Sequence, residues 1–367
     1  MNFANKFIAA AMTFITSISA AVPTFAAQKN FSSTIMHRLE VNSFDSGGTL
    51  IFSDSPEYVR KNGILYTDTV SGDSRILFYH LNDTGVLKRL VVIVENVSGE
   101  KNSVKITRSG ISTPGKNFLR VGKETQFLYM CETFNEEMEL KKRERKIFNT
   151  DWSNIVLNPG QLAYGVADFH AEKPVRIFVM MYPYNADPLR FINNAEILPK
   201  DEYRLRGTFR NMNRTLSLKK IYNPQRDGIG YIMIGDNVND IFKTGIDATD
   251  GSTVINYGNY GINYTLKFRT SSPTEFFLSP LGGKYAGVVQ YEHGKNFGVI
   301  PTPQGQLYFG NKTPKEPDSV QRAREEGLSL LTNYTELAEL GNYNGEVRFF
   351  YSPPGASNLP VNIILSP

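Results

Sequence analysis

The sequence predicts an all-β protein of two β-sandwich-like domains, with one short helix near residues 318–331. Three observations carry that expectation. Apolar and polar residues alternate over many short runs rich in Val, Ile, Phe and Tyr, the period-two pattern of a half-buried strand. Turn pairs such as Asn62-Gly63, Ser98-Gly99, Pro159-Gly160, Asp250-Gly251 and Gly282-Gly283 separate the runs. Only one segment places its apolar residues at convincing helical spacing, so the runs suit a sandwich better than alternating strand–helix units.

Residues 1–26 come first and read as a secretory signal peptide. Lys6 supplies the positive start, Phe7 to Val22 the apolar stretch, and Thr24-Phe25-Ala26 the small-residue exit. Cleavage there would remove one positive charge from a chain of net charge +4, leaving it mildly basic. No second stretch approaches membrane-spanning length. An N-terminal domain over 27–185 and a C-terminal domain over 186–367 are then expected. The boundary falls where Asn185-Ala186-Asp187-Pro188 and Pro199-Lys200-Asp201 punctuate the chain.

Within the first part, Arg75–His80, Leu90–Val94, Gln126–Cys131, Gln161–Phe169 and Val175–Tyr182 read as strands. Asn135 to Lys146 fits an exposed helix or a long hairpin equally well. In the second part, Tyr264–Arg269, Tyr285–Tyr291, Glu346–Tyr351 and the final run Val361–Leu365 read as strands. The helix near 318–331 starts at Pro317-Asp318-Ser319 and sets Val320, Ala323, Gly327, Leu328 and Leu331 on one face.

A group of phrases stands out along the chain. They are Ser55-Pro56-Glu57, Gly63-Ile64-Leu65-Tyr66, Phe78-Tyr79-His80-Leu81-Asn82, Gly258-Asn259-Tyr260-Gly261 and Ser352-Pro353-Pro354-Gly355-Ala356-Ser357-Asn358-Leu359-Pro360. In these the chain resembles a group of secreted bacterial envelope proteins, some of which carry a copper-amine-oxidase-type N-terminal domain. That domain has no counterpart in this sequence. The resemblance implies an exported envelope protein and no particular activity.

Several chemistries find no support. One Cys excludes a disulfide framework and a Cys-based metal cage. Gly110-Ile111-Ser112-Thr113-Pro114-Gly115 misses the serine-hydrolase spacing by one residue. Glu292-His293 is a lone pair without the zinc-peptidase pattern, and no phosphate-binding glycine loop occurs. Cys131 sits in an apolar run and reads as a small buried hydrophobe. Asp168 and His170 would share a strand face, as an acid–base couple or a surface ion pair. Trp152 lies in a turn region and is equally suited to plugging the core.

Two features stand out. Eight basic residues fall between Lys200 and Arg226, against Asp201, Glu202 and, just past them, Asp227. On a strand, Arg204, Arg206 and Arg210 would lie on one face, and with Arg214 they form a candidate row for phosphates or carboxylates. Alternatively the row is a solvated sheet face. The second feature is Asn256-Tyr257-Gly258-Asn259-Tyr260-Gly261, whose Tyr257 and Tyr260 could stack on sugars or merely cover a hairpin. The acids Asp236, Asp240, Asp247 and Asp250 are weak calcium candidates, a hydrolase's paired carboxylates, or plain turn formers.

The expectation is therefore an exported, non-enzymatic envelope protein. It would bind or organise an anionic or sugar-rich surface polymer, or a protein partner, without a cofactor and without nucleic acid. The alternative is an exported glycan-active hydrolase using carboxylates in 236–250.

Overall fold

The computed structural model describes residues 35–131, 134–304 and 337–367, together with the backbone of 328–330. The expected signal peptide lies outside the described residues, as does the expected helix except at its end. There the structure differs: Leu328–Leu330 is a strand, antiparallel to Ile35–His37. Its Leu-Ser-Leu alternation suits a strand pairing that a local helical reading does not weigh.

The fold is all-β, arranged as two large sheets. The first sheet takes β3 (Thr49–Ser53), β4 (Tyr58–Val59), β5 (Gly63–Asn82), β6 (Lys88–Asn96) and β7 (Asn102–Ile111). It adds β8 (Glu136–Leu140), β9 (Arg145–Ile147), β10 (Ile155–Leu157) and β11 (Leu162–Pro183). Asn135 to Lys146 is thus strand rather than exposed helix, but it is not a hairpin: β8 pairs with β7 and β9 with β6. The second sheet takes β1 (Ile35–Arg38), β2 (Val41–Ser46), β13 (Asn213–Leu218), β14 (Gly230–Ile234) and β17 (Asn263–Pro280). It is completed by β18 (Gly287–His293), β19 (Asn296–Thr302), β20 (Leu328–Leu330), β21 (Ala338–Tyr351) and β22 (Val361–Ser366).

The end of β11 falls beside the boundary expected near residue 185. Past it, however, β12 (Arg206–Arg210), β15 (Lys243–Ile246) and β16 (Thr253–Asn256) return to the first sheet. β12 pairs antiparallel with β3, and β15 joins β12 at Thr208. The two expected strands at 161–169 and 175–182 are one strand, β11, which runs antiparallel to β5 with an irregularity between Ala171 and Val175. In the other sheet β17 plays the same central part against β21.

The main core lies between the sheets. Leu50, Phe52, Leu77, Tyr164 and Val166 from the first meet Leu216, Tyr264, Leu266, Phe276, Phe349 and Ile363 from the second. A further core, around Val92, Val94, Phe148, Trp152, Phe169 and Ile177, lies within the first sheet's own strands. Trp152 is therefore a core plug, edge-on to Phe78 at 5.1 Å between ring centres.

Helix α1 (Phe118–Cys131) corrects the strand expected over Gln126–Cys131. Asn117 caps it, its Oδ1 accepting from the Arg120 N–H at 3.1 Å. The buried face runs through Val121, Thr125 and Tyr129, and through Gly122, Gln126 and Met130, each set spaced by four. Polar side chains serve on this face because they have partners. Thr125 Oγ1 donates to the Tyr164 carbonyl at 3.1 Å, and Gln126 Oε1 accepts from Val288 N–H at 2.8 Å. Helical geometry also turns Cys131 outward, where it is exposed rather than buried.

Candidate functional site

The Arg row does not form one surface. Arg204 precedes β12 with φ 54°, exposed, and Arg210 ends β12, also exposed. Arg206 between them is 3% exposed. Its guanidinium donates to Asp247 Oδ2 at 2.9 Å, to the Leu198 carbonyl at 2.7 Å and to the Leu65 carbonyl at 2.9 Å. Arg214 is likewise buried, between Asp45 Oδ1 at 2.7 Å and Asp240. Burial opposes the Arg214 charge, and hydrogen bonds and attraction from Asp45 and Asp240 outweigh it, raising its pKa. The physical reason is that each buried charge needs a partner, and the acids of 236–250 supply them.

Those acids are accordingly dispersed. Asp236 caps its own turn, accepting from the Asn239 N–H at 2.9 Å. Asp240 is held by Arg214 and by the Tyr264 hydroxyl at 2.6 Å. Asp247 lies against Arg206, and Asp250 pairs with Lys200 at 2.6 Å. No group of three or more His, Cys, Asp or Glu able to hold a metal comes together among the described residues. Asp168 and His170 also separate. Asp168 pairs with Arg75, whereas His170 meets Asp73 at 2.7 Å on the surface. Tyr257 is 54% exposed beside Phe242, while Tyr260 turns inward and donates to the Ser357 carbonyl at 2.6 Å.

Tyr260 leads to a cavity of about 500 Å³ at the junction of the two sheets. Its floor is aromatic and apolar: Phe52 of β3, Leu77 and Tyr79 of β5, Tyr164 of β11 and Tyr260. The Tyr79 and Tyr164 rings meet edge-on at 5.9 Å. Exposed Lys116, Asn117, Lys284 and Asn358 stand at its rim, and Gly355 to Ser357 close one wall. Two carboxyls open into it, Asp54 and Glu57, from the segment that follows β3. Four phrases that carry the sequence resemblance thus converge here, through Glu57, Tyr79, Tyr260 and Gly355–Asn358.

The segment bearing the carboxyls is clamped. His80 Nδ1 lies 2.9 Å from the Pro56 carbonyl, which can only accept, so the proton sits on Nδ1. Nε2 then accepts from the Ser53 hydroxyl at 2.8 Å. Asp201 accepts from the Ser55 hydroxyl at 2.8 Å and from the Glu57 N–H at 2.6 Å. Asp54 N–H donates to the Leu205 carbonyl at 3.0 Å.

The carboxyls themselves are unpaired among the described residues. Oδ1 of Asp54 is buried without a hydrogen-bond partner. Among the described residues neither the Asp54 nor the Glu57 side chain makes an ion pair. Burial, with Glu57 and Asp201 nearby, holds the Asp54 carboxyl well above the usual carboxylate range. Burial and Asp201 raise Glu57 as well. Burial also pushes the Tyr79 hydroxyl up, reinforced by the two acids.

The clamp makes the site acid-sensitive. Burial lowers the His80 pKa to about 4, so the folded chain resists a proton that the unfolded chain takes up near 6.5. Between those values the unfolded state binds more protons, and stability falls as pH falls. We expect a loss of about 3 kcal/mol between pH 7 and pH 4 from this residue. Urea unfolding at the two pH values should show a smaller acid loss in His80→Gln than in the natural chain; an equal loss would assign the acid sensitivity elsewhere.

No family model matches the chain, and no curated protein matches it. Among solved structures it is matched to the CUB1-EGF-CUB2 domain of human MASP-1/3, at 10% identity over 89% of this chain and 98% of that one, with a TM-score of 0.18. It is matched to oxalate decarboxylase from Bacillus subtilis at 8% identity, over 88% and 76%, with a TM-score of 0.12. Neither likeness carries an argument about this chain. No helix among the described residues is long and apolar enough to cross a membrane.

Proposed function

We propose that this protein is an exported envelope protein that holds a sugar unit of a surface glycan in the cavity between its sheets. One observation carries the reading: a concave, aromatic-floored site is lined by two carboxyls, and one of them, Asp54, keeps an oxygen buried without a partner among the described residues. Buried polar groups are ordinarily satisfied, so unsatisfied ones in a cavity are groups awaiting a ligand. A sugar matches them. Its apolar ring face suits Tyr79, Tyr164 and Tyr260, and its hydroxyls both donate to and accept from carboxyls. The rim amines and amides extend the contact to neighbouring units and to any acidic groups they bear. Of the arginine row only Arg204 and Arg210 are exposed, since Arg206 and Arg214 are buried in ion pairs, and two arginines are few for a polyanion row.

Equilibrium dialysis of the full chain against end-labelled neutral and acidic oligosaccharides released from bacterial envelopes tests this. Retention of a subset is expected, weakened about tenfold or more in Tyr79→Ala, since one lost ligand contact costs about 1.5 kcal/mol. The pair Arg204→Ser and Arg210→Ser should leave retention unchanged. Retention of none of the oligosaccharides, or equal retention by Tyr79→Ala, would sink the reading.

A further inference from the structure

We infer that the cavity cleaves the glycan it holds, with Asp54 as proton donor and Glu57 as the carboxylate that activates water. This rests on the reading above and goes beyond binding. The first support is placement. Asp54 and Glu57 are three residues apart in sequence and line the same cavity, whose aromatic floor would receive the sugar ring. Glycoside hydrolysis needs two carboxyls flanking the scissile bond, one protonated and one ionised.

The second support is what the fold spends on them. Three other enclosed acids have basic partners: Asp168 has Arg75, Asp240 has Arg214 and Asp247 has Arg206, while Asp201 beside the cavity is held by hydroxyl and N–H donors. Among the described residues Asp54 has no basic partner, although Arg206 reaches the carbonyl of the adjacent Ser55 at 3.3 Å. An unpaired buried carboxyl is destabilising and brings no structural return, which is the pattern of a site kept for function. The third support is rigidity. His80, Asp201 and the Leu205 carbonyl fix the backbone from Ser53 to Glu57, and catalytic groups need such fixed supports.

The two environments separate the roles. Asp54 is the more enclosed carboxyl, and its neighbours favour the protonated form. The titratable groups facing it are Glu57 on its own segment, Tyr79 from β5, Tyr164 from β11, Asp201 ahead of β12 and Tyr260 ahead of β17, with Lys116 and Lys284 at the rim. In the step, the Asp54 proton passes to the glycosidic oxygen as the bond from that oxygen to the anomeric carbon breaks. A water oxygen bonds to the anomeric carbon, and its proton passes to Glu57. One water is consumed, one reducing end and one alcohol appear, and proton exchange with solvent restores both carboxyls.

The test uses the full chain and the oligosaccharides retained in the dialysis. New reducing ends are counted over time for the natural chain, Asp54→Asn and Glu57→Gln, with thermal unfolding to verify folding. Either variant should still retain the glycan while its cleavage rate falls about 10²–10⁴-fold. The natural chain should give a bell-shaped pH profile, and Asp54→Asn should lose the alkaline limb. On an aryl glycoside of the same sugar, whose leaving group needs no proton, Asp54→Asn should recover most of the rate. Retention without any new reducing ends overturns the hydrolysis and leaves the binding reading intact. Cleavage undiminished in Asp54→Asn also overturns it. Retention of nothing overturns both.

Discussion

Replacing Arg75 with Met should lower the stability of the chain by about 3–5 kcal/mol, because it leaves the part-buried Asp168 carboxylate and the carbonyls of Met212 and Gly261 without their donor. Arg75 is 1% exposed on β5, and all of its donors are engaged. Nε donates to Asp168 Oδ1 at 2.6 Å and to the Tyr129 hydroxyl at 2.9 Å. Nη1 reaches the carbonyls of Met212 at 2.7 Å and Gly261 at 2.9 Å, and Nη2 reaches Asp168 Oδ2 at 3.1 Å and Asn213 Oδ1 at 3.2 Å. These partners belong to both sheets and to α1, so one guanidinium joins three bodies of structure. Burial works against its charge; attraction to Asp168 and Tyr129 outweighs it and raises the pKa.

The expected loss is a large share of a typical stability of about 5–15 kcal/mol. Urea unfolding reads it as a fall in midpoint at constant slope. Arg210→Met, at an exposed position, should change little. Adding Asp168→Leu to Arg75→Met should recover part of the loss, since both charges are then gone. A loss under about 1 kcal/mol in Arg75→Met would mean that the network contributes no more than a surface pair.

Gly122→Ala should destabilise the chain by about 3 kcal/mol and also close the cavity wall, an overpacking effect at the upper end of its usual range. In an ordinary helix the same change stabilises by about 1 kcal/mol, so the two expectations differ in sign. Here the added Cβ would lie 2.9 Å from the Gly355 carbonyl carbon, and closer still to its oxygen. Both contacts are backbone, so no side chain can rotate away. Gly355 lines the cavity, and its displacement would move the Ser357 carbonyl that holds Tyr260. Thermal unfolding and oligosaccharide retention should therefore fall together. A stabilised Gly122→Ala with full retention would show that the 355 wall yields freely.

The strand-rich character was legible because a period-two pattern is local. Gln161–Phe169, from its second residue on, and Val175–Tyr182 fall within β11, and Val361–Leu365 within β22. Helix α1 is hidden from a local reading because its buried face is partly polar. Thr125 and Gln126 break the apolar periodicity, and the carbonyl of Tyr164 and the N–H of Val288 that make their burial possible are remote in sequence. The candidate site was only half visible. Tyr260 stood out by its glycine-rich setting, and the phrases around Glu57, Tyr79 and Gly355 stood out as phrases. Asp54 carried no signal, since a lone Asp after a strand is ordinary; what marks it is an oxygen buried without a partner.

Sequence alone therefore determined the all-β class, the turns and most strand positions, because propensity and alternation act over a few residues. It also displayed a basic cluster at 200–226 and acidic clusters at 236–250, and there its information stopped. Only the tertiary structure decided that Arg206 belongs to Asp247 and Arg214 to Asp240 and Asp45. Charges that look like a surface for a ligand are consumed in pairing with each other, because burying either one alone costs several kcal/mol. The same decision left Asp54 and Glu57 without an ion pair among the described residues. Whether a carboxylate is a strut or a reactive group depends on which charge the fold brings beside it, and strand order between distant segments sets that.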